Sequence, residues 1–191
     1  MRILAGEYRG RTLLSPPGRS PTRPITGIAK KSLFDTLGAR VAEATVVDLY
    51  CGTGTLGLEA LSRGARRCFF AERDRGALVR LRRNIEALGA GERCVVWRGD
   101  VTAGLRARLV GVDDAVDIAF VDPPYADARR WSWEAASQAI FDPLCERLSA
   151  EGLVVLRLAG KVHLPDPVGA LCIRRRKDYG DMALVFLGAG E

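Results

Sequence analysis

The tightest constraint on this chain is a glycine-punctuated turn between two apolar segments. The run 45–49 reads as a strand, and "DLYCGTGTLGLEAL" (48–61) carries it through Gly52, Gly54 and Gly57 into a helical pattern. G-x-G-x-x-G in that strand-to-helix context lets backbone approach a ligand and turns the helix N-terminus toward it. A strand that feeds a helix in this way must cross over to a parallel neighbour, and the following sequence supplies the neighbours. Further apolar strands are expected at 67–71, 94–98, 116–121 and 152–158. A first helix ends near Gly64, and "RGALVRLRRNIEAL" places Leu78, Leu81, Ile85 and Leu88 on one helical stripe. This alternation predicts an α/β fold, mostly parallel, with helices on both faces of the sheet. Segments 171–175 and 183–187, around "KDYGD", close the sheet as an antiparallel hairpin. Ahead of it all, 2–14 reads as a small β-hairpin, 15–24 as a Pro/Gly/Ser connector and 28–37 as a short helix.

We divide the chain into a basic N-terminal extension, 1–40, and a catalytic domain, 41–191, with no internal repeat. At 191 residues, 48% hydrophobic and with a mean hydropathy of +0.02, it can bury an ordinary globular core. No apolar run reaches the roughly 18 residues of a membrane span, and "MRILAGEYRGRT" has no signal-peptide core, so a cytoplasmic protein without a membrane partner is expected. Five scattered cysteines, with no C-x-x-C, argue against a disulfide framework and a zinc site, and we expect most to be small buried residues. A lone histidine, His163, gives a His-based metal site or catalytic triad almost no material, so no metal is expected.

Charge is unevenly distributed. The net charge is +6, and residues 1–40 hold eight Lys/Arg against Glu7 and Asp35. The remainder has 21 basic residues (29 less 8) and 21 acidic ones (23 less 2), so the whole excess sits in the N-terminal fifth. Such a patch suits a polyanion through phosphate neutralisation. A solvated basic face is the alternative.

Four acids end predicted strands: Asp48, Glu72, Asp100 and Asp122. Open α/β sheets bind ligands at that edge. Glu72, twenty residues after Gly52, can accept from ribose hydroxyls, as a dinucleotide or S-adenosylmethionine (SAM) would require. Asp48 tilts the balance toward SAM, because a carboxylate there repels a pyrophosphate and attracts a cationic ammonium and sulfonium. Asp100 can accept from an adenine amino group. Either Asp48 or Asp100 alone could simply cap a loop. An NAD-dependent oxidoreductase would leave Asp48 unexplained.

The strand 116–121 runs into Asp122-Pro123-Pro124-Tyr125, the D/N-P-P-Y/F form used by SAM-dependent enzymes that methylate exocyclic or amide nitrogens. An aromatic amine is a poor nucleophile because its lone pair is delocalised. A carboxylate and a carbonyl fixed by stiff prolines can accept both N–H bonds and aim the lone pair at the methyl group. Tyr125 can stack on a base withdrawn from its helix.

With these motifs in place the chain resembles the RsmD family of bacterial methyltransferases, which methylate N2 of a guanine in 16S ribosomal RNA. The resemblance runs through "MRILAGEYRGRTLLSPPG", "TRPIT", "SLFDTL", "DLYCGTGTLGLEALSRGA", "AERD", "FVDPPY" and "KDYGDMALVFL". It implies a Rossmann-like class I methyltransferase fold with a small N-terminal β-hairpin extension. It implies a SAM pocket lined by Gly52, Gly54, Glu72 and Asp100, to which we add Asp48, Cys51 and Thr53, with S-adenosylhomocysteine as product. It implies a guanine clamp of Asp122, Pro123, Pro124 and Tyr125. The expected partner is 16S rRNA or the assembling small subunit, and the expected state a monomer. One segment departs from the family pattern: Gly27 stands for an acid, Ile28 for an arginine and Lys31 for a glutamate. The RNA-contact candidates are Arg9, Arg11, Arg23, Lys30 and Lys31 at the N-terminus and Arg129 and Arg130 after the clamp, where Trp131 or Trp133 can instead pack on the sheet. The run 174–177 is a further phosphate contact or a charge-protected edge strand. Two alternatives to guanine methylation remain: an N6-adenine methyltransferase on DNA or RNA, and a non-catalytic rRNA-binding assembly factor.

Overall fold

A computed structural model describes residues 1–15, 25–160 and 162–190. A single seven-stranded sheet organises them: β1 (Thr45–Leu49), β2 (Arg67–Glu72), β3 (Cys94–Arg98), β4 (Val116–Val121), β5 (Leu148–Ala159), β6 (Leu171–Tyr179) and β7 (Met182–Ala189). The spatial order is β3-β2-β1-β4-β5-β7-β6. The first five strands run parallel, and β7 is antiparallel to both β5 and β6. The expected mixed sheet is therefore present, with both C-terminal strands longer than the sequence pattern indicated.

Strand alternation builds a core on each face. Val46, Phe70, Phe120 and Val155 point to one side, where they meet α1 (Gly27–Leu37), α2 (Thr55–Ser62) and α3 (Arg75–Leu88). Val47, Ala71, Val121 and Leu156 point to the other, against α4 (Leu105–Val110) and the π-helical turn Ser137–Phe141, which lies between α6 (Trp133–Ala136) and α7 (Asp142–Cys145). The stripe on α3 is buried as its spacing requires: Leu78, Leu81, Ile85 and Leu88 all face the first core. Cys51 and Cys68 are buried, whereas Cys94, Cys145 and Cys172 are only half-buried, and all five are free thiols. Fewer cysteines are buried than expected because these three lie nearer the periphery, Cys94 on the outermost strand β3 and Cys172 on the other edge strand β6.

The N-terminal hairpin departs from expectation for a definable reason. The chain does turn back on itself, with a single antiparallel bridge from Arg2 to Thr12 and Ile3 N donating to the Arg11 carbonyl at 3.0 Å. No strand forms, because the intervening donors are spent on α2. Glu59 accepts from the N–H groups of Leu4 and Ala5 at 2.8 and 3.1 Å. Glu7 N donates to the Ser62 carbonyl at 2.7 Å and Tyr8 N to Ser62 Oγ at 2.9 Å. Glu59 is wholly buried and also pairs with Lys30 and Arg63, each at 2.9 Å. One carboxylate thus ties the N-terminal segment and α1 to the body. The connector at 16–24 lies outside the described residues.

Removing one partner of a buried pair leaves the other charge uncompensated. Glu59→Ala is expected to cost about 3–5 kcal/mol of unfolding free energy, measured by urea denaturation, with faster proteolysis ahead of α1.

Candidate active site

The site lies where the strand order reverses. β1 sits between β2 and β4, and their C-terminal ends bring Asp48, Glu72 and Asp122 to one edge, the crevice in which open α/β sheets bind ligands. Tyr50 (φ +58°), Gly52 (φ +56°) and Gly54 (φ +85°) turn the chain from β1 into α2 through left-handed conformations. The three glycines of the motif divide the labour. A Cβ on Gly57 would stand 2.4 Å from the Phe70 ring and 2.5 Å from Cys68 Sγ, and one on Gly54 would stand 2.4 Å from Leu81, so these two allow helix–sheet packing. A Cβ on Gly52 would meet nothing within 4 Å, so this glycine fronts open space. Beside it, Thr53 Oγ1 and Thr55 Oγ1 are buried without a hydrogen-bond partner among the described residues. Buried hydroxyls are rarely left unpaired, so these two stand out in the loop. Asn84 of α3 fastens the loop to the N-terminal segment, donating to the Thr53 carbonyl at 3.0 Å and accepting from Leu14 N at 2.8 Å.

The carboxylates are arranged unequally. Asp48 is fully buried and accepts from Gly57 N at 2.9 Å. Desolvation, aided by the charges of Asp122 and Glu72, pushes its pKa up to about 8 despite that hydrogen bond. Glu72 accepts from Gly52 N at 2.9 Å through one oxygen and from Arg73 N and Asp74 N, both at 2.8 Å, through the other. It therefore holds the glycine loop in place, and one of its roughly four acceptor positions remains. Asp100 accepts from Thr102 N and Oγ1 and from Arg73 at 3.1 Å, and these bonds hold its pKa below the ordinary value. Arg73 also reaches Asp127 at 3.0 Å, bridging the β2 end to the segment beyond the clamp. Asp100 is thus a loop cap in this structure.

At the tip of β4, Asp122 N donates to the Leu49 carbonyl at 3.2 Å, seating the clamp against the end of β1. Pro124 caps α5 (Tyr125–Ala128), which begins the turn away from the sheet. Burial raises the Asp122 pKa, while Arg157 of β5 opposes the rise through an ion pair to Oδ1. Arg157 is buried and its guanidinium carbon lies 5.4 Å from the centroid of the Tyr125 ring. The rings of Tyr50 and Trp131 meet at a tilt of 45° with centroids 6.3 Å apart, and burial raises the Tyr50 pKa. Trp131 and Trp133 both pack on the second core.

The basic residues separate into two groups. Arg9, Arg11, Lys31, Arg129 and Arg130 are exposed; Lys31 pairs with Asp35 at 2.7 Å and Arg11 donates to the Ala87 carbonyl at 2.5 Å. Lys30 is 4% exposed, with its ammonium on Glu59 and the Arg2 carbonyl, so it is structural and leaves the RNA-facing set. Arg23 lies outside the described residues. Sequence reasoning missed Arg157, although a single charge inside the apolar run "LVVLRLA" marks it, and Asn84, whose polar position on the buried stripe of α3 was the available signal. Among the described residues no group of three or more His, Cys, Asp or Glu side chains could hold a metal ion, and no helix is long and apolar enough to cross a membrane.

A glycine loop at the switch point, acids on the strand ends and an antiparallel β7 inserted beside β5 define a Rossmann-like methyltransferase fold. The rRNA methyltransferase aviRa of Streptomyces viridochromogenes shares that fold at a TM-score of 0.65 and 19% identity, over 91% of this chain and 88% of that one. The chain belongs to the family described as conserved hypothetical protein 95, whose model matches residues 1–188. It is 36% identical over 185 residues to the ribosomal RNA small subunit methyltransferase D of Escherichia coli, covering 96% of this chain and 87% of that one. The hypothetical protein TTHA0928 of Thermus thermophilus superposes with a TM-score of 0.80 at 28% identity over 99% of both chains.

The Asp48 pKa carries a stability consequence. Folding raises it from 3.8 to about 8, so the native state holds a proton that the unfolded chain releases. Its contribution is fully present below pH 3.8 and is lost as pH rises through about 8. Asp48→Asn is expected to flatten the decline in denaturation midpoint between about pH 4 and pH 8, followed by urea titration across that range.

Proposed function

We propose that the protein transfers a methyl group from SAM to the exocyclic N2 amine of a guanine in the 16S rRNA of the small ribosomal subunit. The observation that carries this reading is the Asp122-Pro123-Pro124-Tyr125 clamp at the tip of β4, next to the glycine loop that follows β1. Membership of a family whose E. coli relative is named a small-subunit rRNA methyltransferase supports the substrate.

The residues present fit the cofactor. Gly52 offers open backbone, Thr53 and Thr55 offer unpaired hydroxyls, and buried Asp48 favours a cation. Glu72 retains room for a ribose hydroxyl, and Asp100 would take the adenine amino group by exchanging a contact with Arg73 or Thr102. SAM supplies a methyl carbon made electrophilic by its sulfonium, with a neutral thioether as leaving group. The chain's own part is positioning. The Asp122 carboxylate and the Pro123 carbonyl accept the two amine N–H bonds, and Tyr125 stacks on the base. The nitrogen lone pair forms the new N–C bond, the C–S electrons stay on sulfur, and the surplus proton passes to Asp122 or water. No metal is invoked in this reading.

Residues 1–40 are proposed to form the RNA entrance, with Arg9, Arg11, Lys31, Arg129 and Arg130 on phosphates. We further propose that the protein acts as a cytoplasmic monomer.

Transfer from radiolabelled SAM to deproteinised 16S rRNA, partly assembled small subunits and duplex DNA, followed by nucleoside analysis, tests the reading. N2-methylguanosine from ribosomal substrate is expected. Methylated adenine would reject the target, and no transfer despite SAM binding would reject catalysis. Asp122→Ala is expected to bind SAM normally and to lose about 100-fold or more in turnover. Arg129→Ala and Arg130→Ala together should weaken rRNA binding and lower the slope of log K against log salt by about one to two, measured by filter binding.

A further inference from the structure

Arg157 has no role in the mechanism above, and its setting is unusual. It is a charged side chain in the middle of the sheet, 4% exposed, on a strand whose neighbouring positions are apolar. The register explains where it points. Val121 pairs with Leu156, so the next residues, Asp122 and Arg157, lie side by side and project to the face opposite Val121 and Leu156. There its Nε donates to Asp122 Oδ1, its Nη1 lies 3.9 Å from Met182 Sδ on β7, and its guanidinium stands over the Tyr125 ring. One side chain touches both the first and the last residue of the clamp.

Burying an arginine is costly, and ion pairs of this kind add little net stability over an apolar replacement. Stability alone therefore gives a poor account of Arg157. We propose that Arg157 is a positioning residue for methyl transfer: it fixes the Asp122 carboxylate and backs one face of the Tyr125 ring, so that the clamp is assembled before the base arrives. This rests on the methyl-transfer reading above. A carboxylate left free to rotate or to take up a proton would present the wrong donor pattern to an amine that needs two acceptors. A cation over the ring also holds it in place by attraction to its π electrons. Asp48 on β1 lies close enough for the Asp122 charge to raise its pKa, and Arg157 is the cation paired with Asp122, opposing the rise that burial gives the Asp122 pKa.

The test combines kinetics with a direct view of the carboxylate. In Arg157→Met, kcat should fall about 100-fold, as displacement of a reacting group does, while Kd for SAM and KM for rRNA stay within about twofold. Arg157→Lys, which keeps the charge without the planar fork, should recover part of the loss. Asp122→Asn with Arg157→Met should be no slower than Asp122→Asn alone, because the arginine acts through the aspartate. Carbon-13 NMR of labelled Asp carboxyls, with Asp122 assigned by its loss in Asp122→Asn, should show Asp122 titrating at higher pH in Arg157→Met than in the wild type. Wild-type turnover in Arg157→Met, or an unchanged Asp122 titration, would overturn the proposal. Should Arg157→Met fail to fold, Arg157→Lys carries the same reading, and full turnover there with an unchanged ring environment would overturn it. The NMR result stands apart from activity: an Asp122 that responds to Arg157 in a protein that methylates no rRNA would reject the function and keep the contact.

Discussion

The structure is built around a concentration of negative charge at a low-dielectric edge. Asp48, Glu72 and Asp122 converge at the reversal of strand order, and Arg157 answers Asp122 from within the sheet. Burial raises the Asp48 pKa, and the charges of Asp122 and Glu72 add to the effect. Without a ligand, Asp48 relieves the conflict by holding a proton. A cationic ligand would relieve it differently, by letting the carboxylate ionise against it. On the proposed function, the same edge would therefore favour the charge type that a sulfonium and an ammonium carry.

Everything near this edge has a share in keeping it in register. Glu72 spends three acceptor positions on backbone N–H groups, one of them fixing the glycine loop at Gly52 and two fixing its own side chain over Arg73 and Asp74. Asn84 ties that loop to Leu14, and Glu59 ties Leu4 and Ala5 to α2. The N-terminal segment is thereby joined to the cofactor-side loop through hydrogen bonds to buried side chains. If those residues receive RNA, binding there is mechanically continuous with the loop that would hold the methyl donor.

Much of this was legible in the sequence, because the strongest signals were local and periodic. The α3 stripe and strands β1, β3 and β4 follow from spacing alone, since apolar residues must reach a core. The acids at strand ends and the D-P-P-Y clamp were readable because proline and glycine leave few backbone options. What could not be read was the pairing of charges distant in sequence. Lys30 looks like a surface cation by composition, and only the fold brings it to Glu59. Arg157 lies 35 residues beyond Asp122, and their contact depends on the β4–β5 register. The N-terminal hairpin failed as a strand pair for the same reason, since its donors found a side chain on α2 that local patterning could not reveal.

Calorimetric titration of SAM into the protein at pH 7, in buffers of differing ionisation enthalpy, tests the role of these charges most directly. The account predicts that SAM binding releases a proton, that S-adenosylhomocysteine, lacking the sulfonium, binds more weakly and releases fewer protons, and that Asp48→Asn abolishes the release. SAM binding with no proton exchange, or with equal release in Asp48→Asn, would contradict it.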